Sequence, residues 1–142
     1  MIETTKTFIE TNIELIENED WLTLFQGWYD IAYGGLDSDA MRFYDLNRTL
    51  DEAGVCSYSE TEEIRKQIIY KEVEGIIQRW IDDIDNWTGS PGWIGMYYIT
   101  TCLRSYLGLS TTTIGNVVKD VAISKDLVPD KHGEGFRMRR FV

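Results

Sequence analysis

The feature that most constrains this chain is a run of apolar residues spaced for a helix. Ile69, Val73, Ile76, Trp80, Ile84 and Trp87 follow one another at steps of four and three. That spacing keeps all six on one side of a 3.6-residue helix, whereas a strand would scatter them over both faces. Just upstream, Ser59-Glu60-Thr61-Glu62 has the form of a capping box, in which Ser and Glu each satisfy an orphan backbone donor near the other. Together they predict a helix to about Asn86, roughly 37–42 Å long at 1.5 Å per residue. It is the expected spine of an N-terminal module.

Shorter stripes precede it. Ile9, Ile13 and Ile16 predict an amphipathic helix over Thr7–Glu17. Asp20 can cap a second helix carrying Trp21, Phe25, Trp28 and Ala32, which Gly34-Gly35 would end. Asp37-Ser38-Asp39 offers caps for a third, with Phe43, Leu46, Leu50 and Ala53 on one side and Gly54 as a left-handed stop. The breaker cluster Thr88-Gly89-Ser90-Pro91-Gly92 marks an internal boundary, so the expected modules are residues 1–87 and 92–142.

Composition excludes several classes. Apolar residues make up 43% of the 142 and aromatics 13%, enough for a core and too much for whole-chain disorder. No apolar run approaches the roughly 18 residues of a membrane span. The N-terminus, MIETTKTFIE, lacks the basic and apolar regions of a signal peptide, so a soluble, cytoplasmic protein is expected (host-cell cytoplasm if viral). Cys56, Cys102 and the lone His132 cannot make up a four-ligand zinc site, and both thiols are expected to be reduced. Asp37-Ser38-Asp39 and Asp82-Asp83-Ile84-Asp85 lack the glycine and distant glutamate of a calcium loop. Gly133-Glu134-Gly135 precedes a strand rather than a helix, so it is no phosphate loop. Neither cysteine has an obvious base beside it. The expectation is a protein without catalytic residues, metal or cofactor.

Charge is divided along the chain. Up to Trp87 there are 20 acidic and 7 basic residues, a net −13; from Thr88 onward there are 4 and 7, a net +3. Such asymmetry points to a nucleic-acid-facing or partner-facing segment.

The basic part has a distinctive order. Trp93 to Leu107 is apolar and aromatic and predicts a buried helix. In Gly108-Leu109-Ser110, Gly108 permits a left-handed turn, Leu109 plugs it into the core, and Ser110 caps the next helix. In that helix, Thr111–Ile123, the residues Ile114, Val118 and Val121 face inward, while Thr112, Asn116 and Lys119 lie opposite with Gly115 beside them. Asp126-Leu127-Val128 is short and extended, 129–135 is rich in turn formers, and Phe136–Phe141 alternates like a strand. This order resembles a winged helix-turn-helix DNA-binding domain over about residues 92 to 142, without pointing to one family of that superfamily. Added to the helical N-terminal module read from the apolar spacing, the resemblance implies a mainly α fold that ends in a C-terminal winged helix with a small β-hairpin. It implies a recognition helix whose Thr111, Thr112, Asn116 and Lys119 meet bases or phosphates, and a wing whose Lys131, His132, Arg137 and Arg139 meet the backbone. One departure is that Lys119 is the helix's sole cation and Asp120 follows it.

Two functions compete at this stage. One is a small DNA-binding regulator, homodimeric through its acidic, aromatic-rich module, with double-stranded DNA as its partner. The other is an acidic inhibitor or DNA mimic of viral, anti-defence type. It would use Glu60, Glu62, Glu63, Asp82, Asp83 and Asp85 to occupy a basic nucleic-acid-binding protein.

Overall fold

The computed structural model describes residues 3–34, 40–86 and 92–142, with 32–34 and 40–44 by backbone only. Seven α-helices appear among them: α1 Glu3–Thr11, α2 Ile13–Glu17, α3 Trp21–Gly34, α4 Ala40–Glu52, α5 Tyr58–Asp82, α6 Met96–Thr101 and α7 Thr111–Ser124. Three short strands, β1 Trp93–Gly95, β2 Leu127–Pro129 and β3 Gly135–Met138, form an antiparallel sheet in the order β1-β3-β2. Short 3-10 turns follow α5 (Ile84–Asn86) and β3 (Arg139–Phe141).

The chain gathers into two compact units. One comprises Met1–Ile68 with Arg104–Ser110; the other comprises Ile69–Leu103 with Thr111–Val142. This division differs from the one expected at 88–92, of which 87–91 lie outside the described residues. The cause is the length of α5. A helix of 25 residues spans about 37 Å, enough for its two ends to belong to separate cores.

In the first unit the expected single helix over Thr7–Glu17 is two helices. Asn12 donates its side-chain amide to the Phe8 carbonyl at 2.9 Å and leaves helical geometry (φ −118°, ψ 27°), which divides α1 from α2. The Ile9-Ile13-Ile16 stripe is therefore not the buried face: Ile13 is 48% exposed, and Thr5 and Phe8 are buried instead. Phe8 meets Trp28 edge-on, with ring centroids 4.7 Å apart, beside the buried Leu24, Phe25 and Tyr29 of α3. Asp20 caps α3 as expected, its carboxylate accepting from the Thr23 amide at 3.3 Å. Gly35, the Asp37–Asp39 caps and the Ala32 and Phe43 side chains lie outside the described residues.

α4 buries Leu46 and Leu50 and ends where Gly54 takes φ +69°. The Val55 amide donates to the Leu50 carbonyl and the Gly54 amide to that of Asp51, the paired closure of a left-handed helix stop. Ala53 is exposed past the helix end. The capping box of α5 lies two residues earlier than expected. Ser57 Oγ accepts from the Glu60 amide at 3.1 Å, and Glu60 Oε2 accepts from the Ser57 amide at 3.0 Å. Ser57-Tyr58-Ser59-Glu60 fits the same Ser-x-x-Glu form.

Of the long stripe, Ile69, Val73, Ile76 and Trp80 are buried, with Ile68 and Ile77 added; Ile84 is half-buried in the 3-10 turn. The helix expected over Trp93–Leu107 is a correction. Its first three residues are β1, only Met96–Thr101 is helical, and Cys102 to Ser110 is irregular. β1 exists because β3 has a second edge to fill: Trp93, Ile94 and Gly95 pair with Arg137, Phe136 and Gly135. α6 stops early because Thr100 and Thr101 turn their hydroxyls onto the carbonyls of Tyr97 and Tyr98.

Candidate nucleic-acid interface

α7 is held by one face. Ile114, Val117, Val118, Val121 and Ala122 are buried, which leaves Thr111, Thr112, Asn116 and Lys119 exposed. The row read from the sequence therefore stands open to solvent. A Cβ built on Gly115 would meet nothing within 4 Å, so no neighbour crowds that part of the helix. Asp120 is exposed too, and Ile123, one step of four beyond Lys119, is 61% exposed. At the far end Asp126 takes φ +60°, a left-handed geometry that Asp tolerates better than most residues. Before α7, Gly108 takes φ +73° and Leu109 is buried, as expected, but no helix leads into this turn and Arg104–Ser110 belong to the first unit.

The hairpin joins β2 to β3 through a turn organised by Asp130. Its Oδ1 accepts from the Glu134 amide at 2.9 Å, its Oδ2 from the Trp93 indole N–H at 3.2 Å, and its amide donates to the Gly135 carbonyl at 3.0 Å. Desolvation by itself would raise the Asp130 carboxyl. The indole and the amides of Glu134, Gly135 and His132 outweigh it and hold the group below its ordinary value.

Gly135 lets the indole lie there. A Cβ on it would stand 2.5 Å from the Ile94 carbonyl oxygen and 2.5 Å from the Trp93 ring. Gly133, at φ +69°, supplies the left-handed step of the turn. The Gly-Glu-Gly triplet is thus the mechanical joint of the hairpin.

Lys131 and His132 sit exposed in that turn. Arg137 is half-buried on β3, in register between Trp93 and Val128, on the sheet face opposite the buried Phe136. The expected strand Phe136–Phe141 ends at Met138, so Arg139 lies in the 3-10 turn instead. There its Nε donates to Asp126 Oδ1 at 3.0 Å, with both side chains about 70% exposed. An ion pair so open to water contributes about 0–1 kcal/mol and can be exchanged for another anion. All eight expected contact residues belong to the second unit.

The six carboxylates of the competing reading are all exposed. Some carry local tasks: Glu60 closes the capping box, Glu63 lies 3.7 Å from Lys66 Nζ, and Asp82 and Asp83 accept from Gln78 and Asn86. Glu60, Glu62 and Glu63 belong to the first unit; Asp82, Asp83 and Asp85 belong to the second.

Charge counted by unit alters the earlier picture. The first unit holds 15 acidic and 6 basic residues and the second 9 and 8, a net −9 and −1. Residues 69–86, with Asp83 and Asp85 just past α5, carry a net −3 that offsets the +2 of residues 111–142. From Thr111 onward there are still 6 cations against 4 carboxylates.

Sequence reasoning missed Trp93 and Asp130 as the pair that fixes the hairpin, because their meeting depends on β1. It also missed Lys125 and Arg140, which flank Arg139 around one depression. Their only signal was the run of cations in the last 18 residues. Cys56 and Cys102 are free, and burial with Glu60 and Asp51 nearby pushes the Cys56 thiol up to about 11. Among the described residues no three His, Cys, Asp or Glu side chains gather as metal ligands, and no helix is long and apolar enough to cross a membrane. No family model, curated protein or solved structure matches this chain.

Proposed function

We propose that the second unit is a winged helix that binds double-stranded DNA, and that the protein is a small non-enzymatic regulator. In this reading α7 enters the major groove. Asn116 and Thr112 are its base-edge candidates, Lys119 meets bases or phosphate, and Lys131, His132, Arg137 and Arg139 meet the backbone. The observation that carries it is the exposed row Thr112-Asn116-Lys119 opposite a fully buried face, in the same unit as a hairpin bearing cations. The succession α7, β2, β3 supports the helix-and-wing part of that shape, although nine residues separate α6 from α7 and Arg104–Ser110 belong to the first unit. The acidic first unit serves as the dimerising or docking module.

The net charge of −10 opposes DNA binding only in part. Exposed charges more than a Debye length apart, about 8 Å at physiological salt, are largely screened, so the local surface decides. With few cations on α7, affinity depends on the wing. A mobility shift of the full chain on random-sequence and upstream-region duplexes, at two salt concentrations, tests this. Binding should weaken at the higher salt and fall further in Arg137→Ala/Arg139→Ala. Absence of binding at low salt would overturn the reading.

The exposure of all six carboxylates favours the acidic-inhibitor reading as the second choice. It requires that neutralising Glu62, Asp82, Asp83 and Asp85 abolish capture of a basic nucleic-acid-binding protein. It is ranked lower because Glu60 and Glu63 already have partners within α5 and its cap.

A further inference from the structure

Just past the C-terminal end of α7, the second unit has a depression of about 440 Å³ lined by Lys125, Asp126, Leu127, Met138, Arg139 and Arg140. We propose that it is a binding pocket for a phosphate group, separate from the base-reading row of α7. Three of the chain's 14 cations are among its six lining residues, against one carboxylate, in a protein whose acidic residues outnumber basic ones 24 to 14. The volume lies within the range of small-ligand sites, roughly 300–1,000 Å³.

Two features oppose an anion here, and both are small. The depression adjoins the C-terminal end of α7, whose macrodipole is equivalent to roughly half a negative charge and is screened by solvent. Asp126 contributes a full negative charge, but it is 73% exposed and tied to Arg139 through Nε, one of the five N–H donors of a guanidinium. A phosphate can take the place of the Asp126 carboxylate on Arg139 and gain the planar, two-pronged contact that guanidinium favours.

Arg140 is exposed and stacks its guanidinium over the Phe141 ring at 4.9 Å, which leaves its edge for an anion. Lys125 is half-buried and donates to the Gln78 side-chain carbonyl at 3.0 Å, which leaves two of its three ammonium protons for an anion. The buried Leu127 and half-buried Met138 supply an apolar floor for the carbon part of a phosphate ester. The phosphate can belong to a free phosphate-bearing molecule or to a DNA backbone, and the chemistry of recognition is shared.

The test uses the full-length, nitrogen-15-labelled chain, titrated with inorganic pyrophosphate, with sodium chloride at matched ionic strength, and with a short DNA duplex. The expected result is saturable movement of the Leu127, Met138, Arg139 and Arg140 amides with pyrophosphate but not with chloride. Affinity should fall roughly tenfold or more in Lys125→Gln/Arg140→Gln, as loss of charged hydrogen bonds requires. Unmoved Ile94 and Phe136 amides in the variant would show that the fold is intact. Movement with duplex alone, weakened in the same variant, would support the pocket and assign its phosphate to DNA. Movement of these amides with pyrophosphate alone would support the pocket and assign its phosphate to a free phosphate-bearing molecule. Absence of saturable movement with either probe, or equal movement in the variant, would overturn the pocket.

Discussion

The first unit has an aromatic core. Phe8, Phe25, Trp28 and Tyr29 are buried together with Leu24, Leu46 and Leu50, and much of the packing depends on a few large rings. The second unit is built from branched aliphatic residues: Ile69, Val73, Ile76, Ile77, Ile94, Ile99, Ile114, Val117, Val118 and Val121, with Trp80 and Phe136 as its buried rings. In the first, stability is concentrated; in the second it is spread over many small contacts, and the vulnerable points are backbone ones. The surfaces differ as well. The first unit is strongly acidic, and the second places cations on a hairpin that a single carboxylate organises.

The largest expected effect is in the first unit. Trp28 is fully buried, and Trp28→Ala should cost about 3–5 kcal/mol, read by urea unfolding. A cost under about 1 kcal/mol would show that the rings do not carry that core.

The second unit should break at its sheet instead. Gly135→Ala forces a methyl into the Ile94 carbonyl and the Trp93 ring and should cost about 1–3 kcal/mol. Trp93 fluorescence would move if the indole leaves Asp130, although four other tryptophans require it to be read against Trp93→Phe. An unchanged stability would remove the joint assigned to Gly135.

The smallest effect is acidic. Because the folded Asp130 carboxyl lies below its ordinary value, its contribution to hairpin order is complete above the usual carboxylate range, about pH 4. It is lost as pH falls through the lower, folded value. Hydrogen exchange at the Glu134 amide should stay protected from pH 7 to 5 and lose protection at more acidic pH. Asp130→Asn should remove that step. A step near pH 6 would contradict the assignment.

What could be read from the sequence was local. The row on α7, the left-handed steps at Gly54 and Gly108 and the plug at Leu109 each depend on residues within one or two turns of chain. β1 was not legible, since Trp93–Gly95 becomes a strand only by pairing with residues some forty positions later. The Ile9-Ile13-Ile16 stripe failed because one Asn side chain re-phased the helix. The capping box was ambiguous by two residues because both Ser57 and Ser59 fit the pattern, and the backbone leaving Gly54 selected the earlier one. The division of α5 between two cores carries no composition signal, since its apolar residues continue across Ile68 and Ile69.

The central claim is that the second unit contacts DNA through α7 and the hairpin. The most direct measurement is the salt dependence of duplex binding by the full chain. If Lys119, Lys131, Arg137 and Arg139 each neutralise one phosphate, log K should fall against log salt with a slope of roughly −3 to −4, and by about one unit less in Lys119→Gln. A slope near zero, or one that Lys119→Gln and Arg137→Gln leave unchanged, would contradict the account.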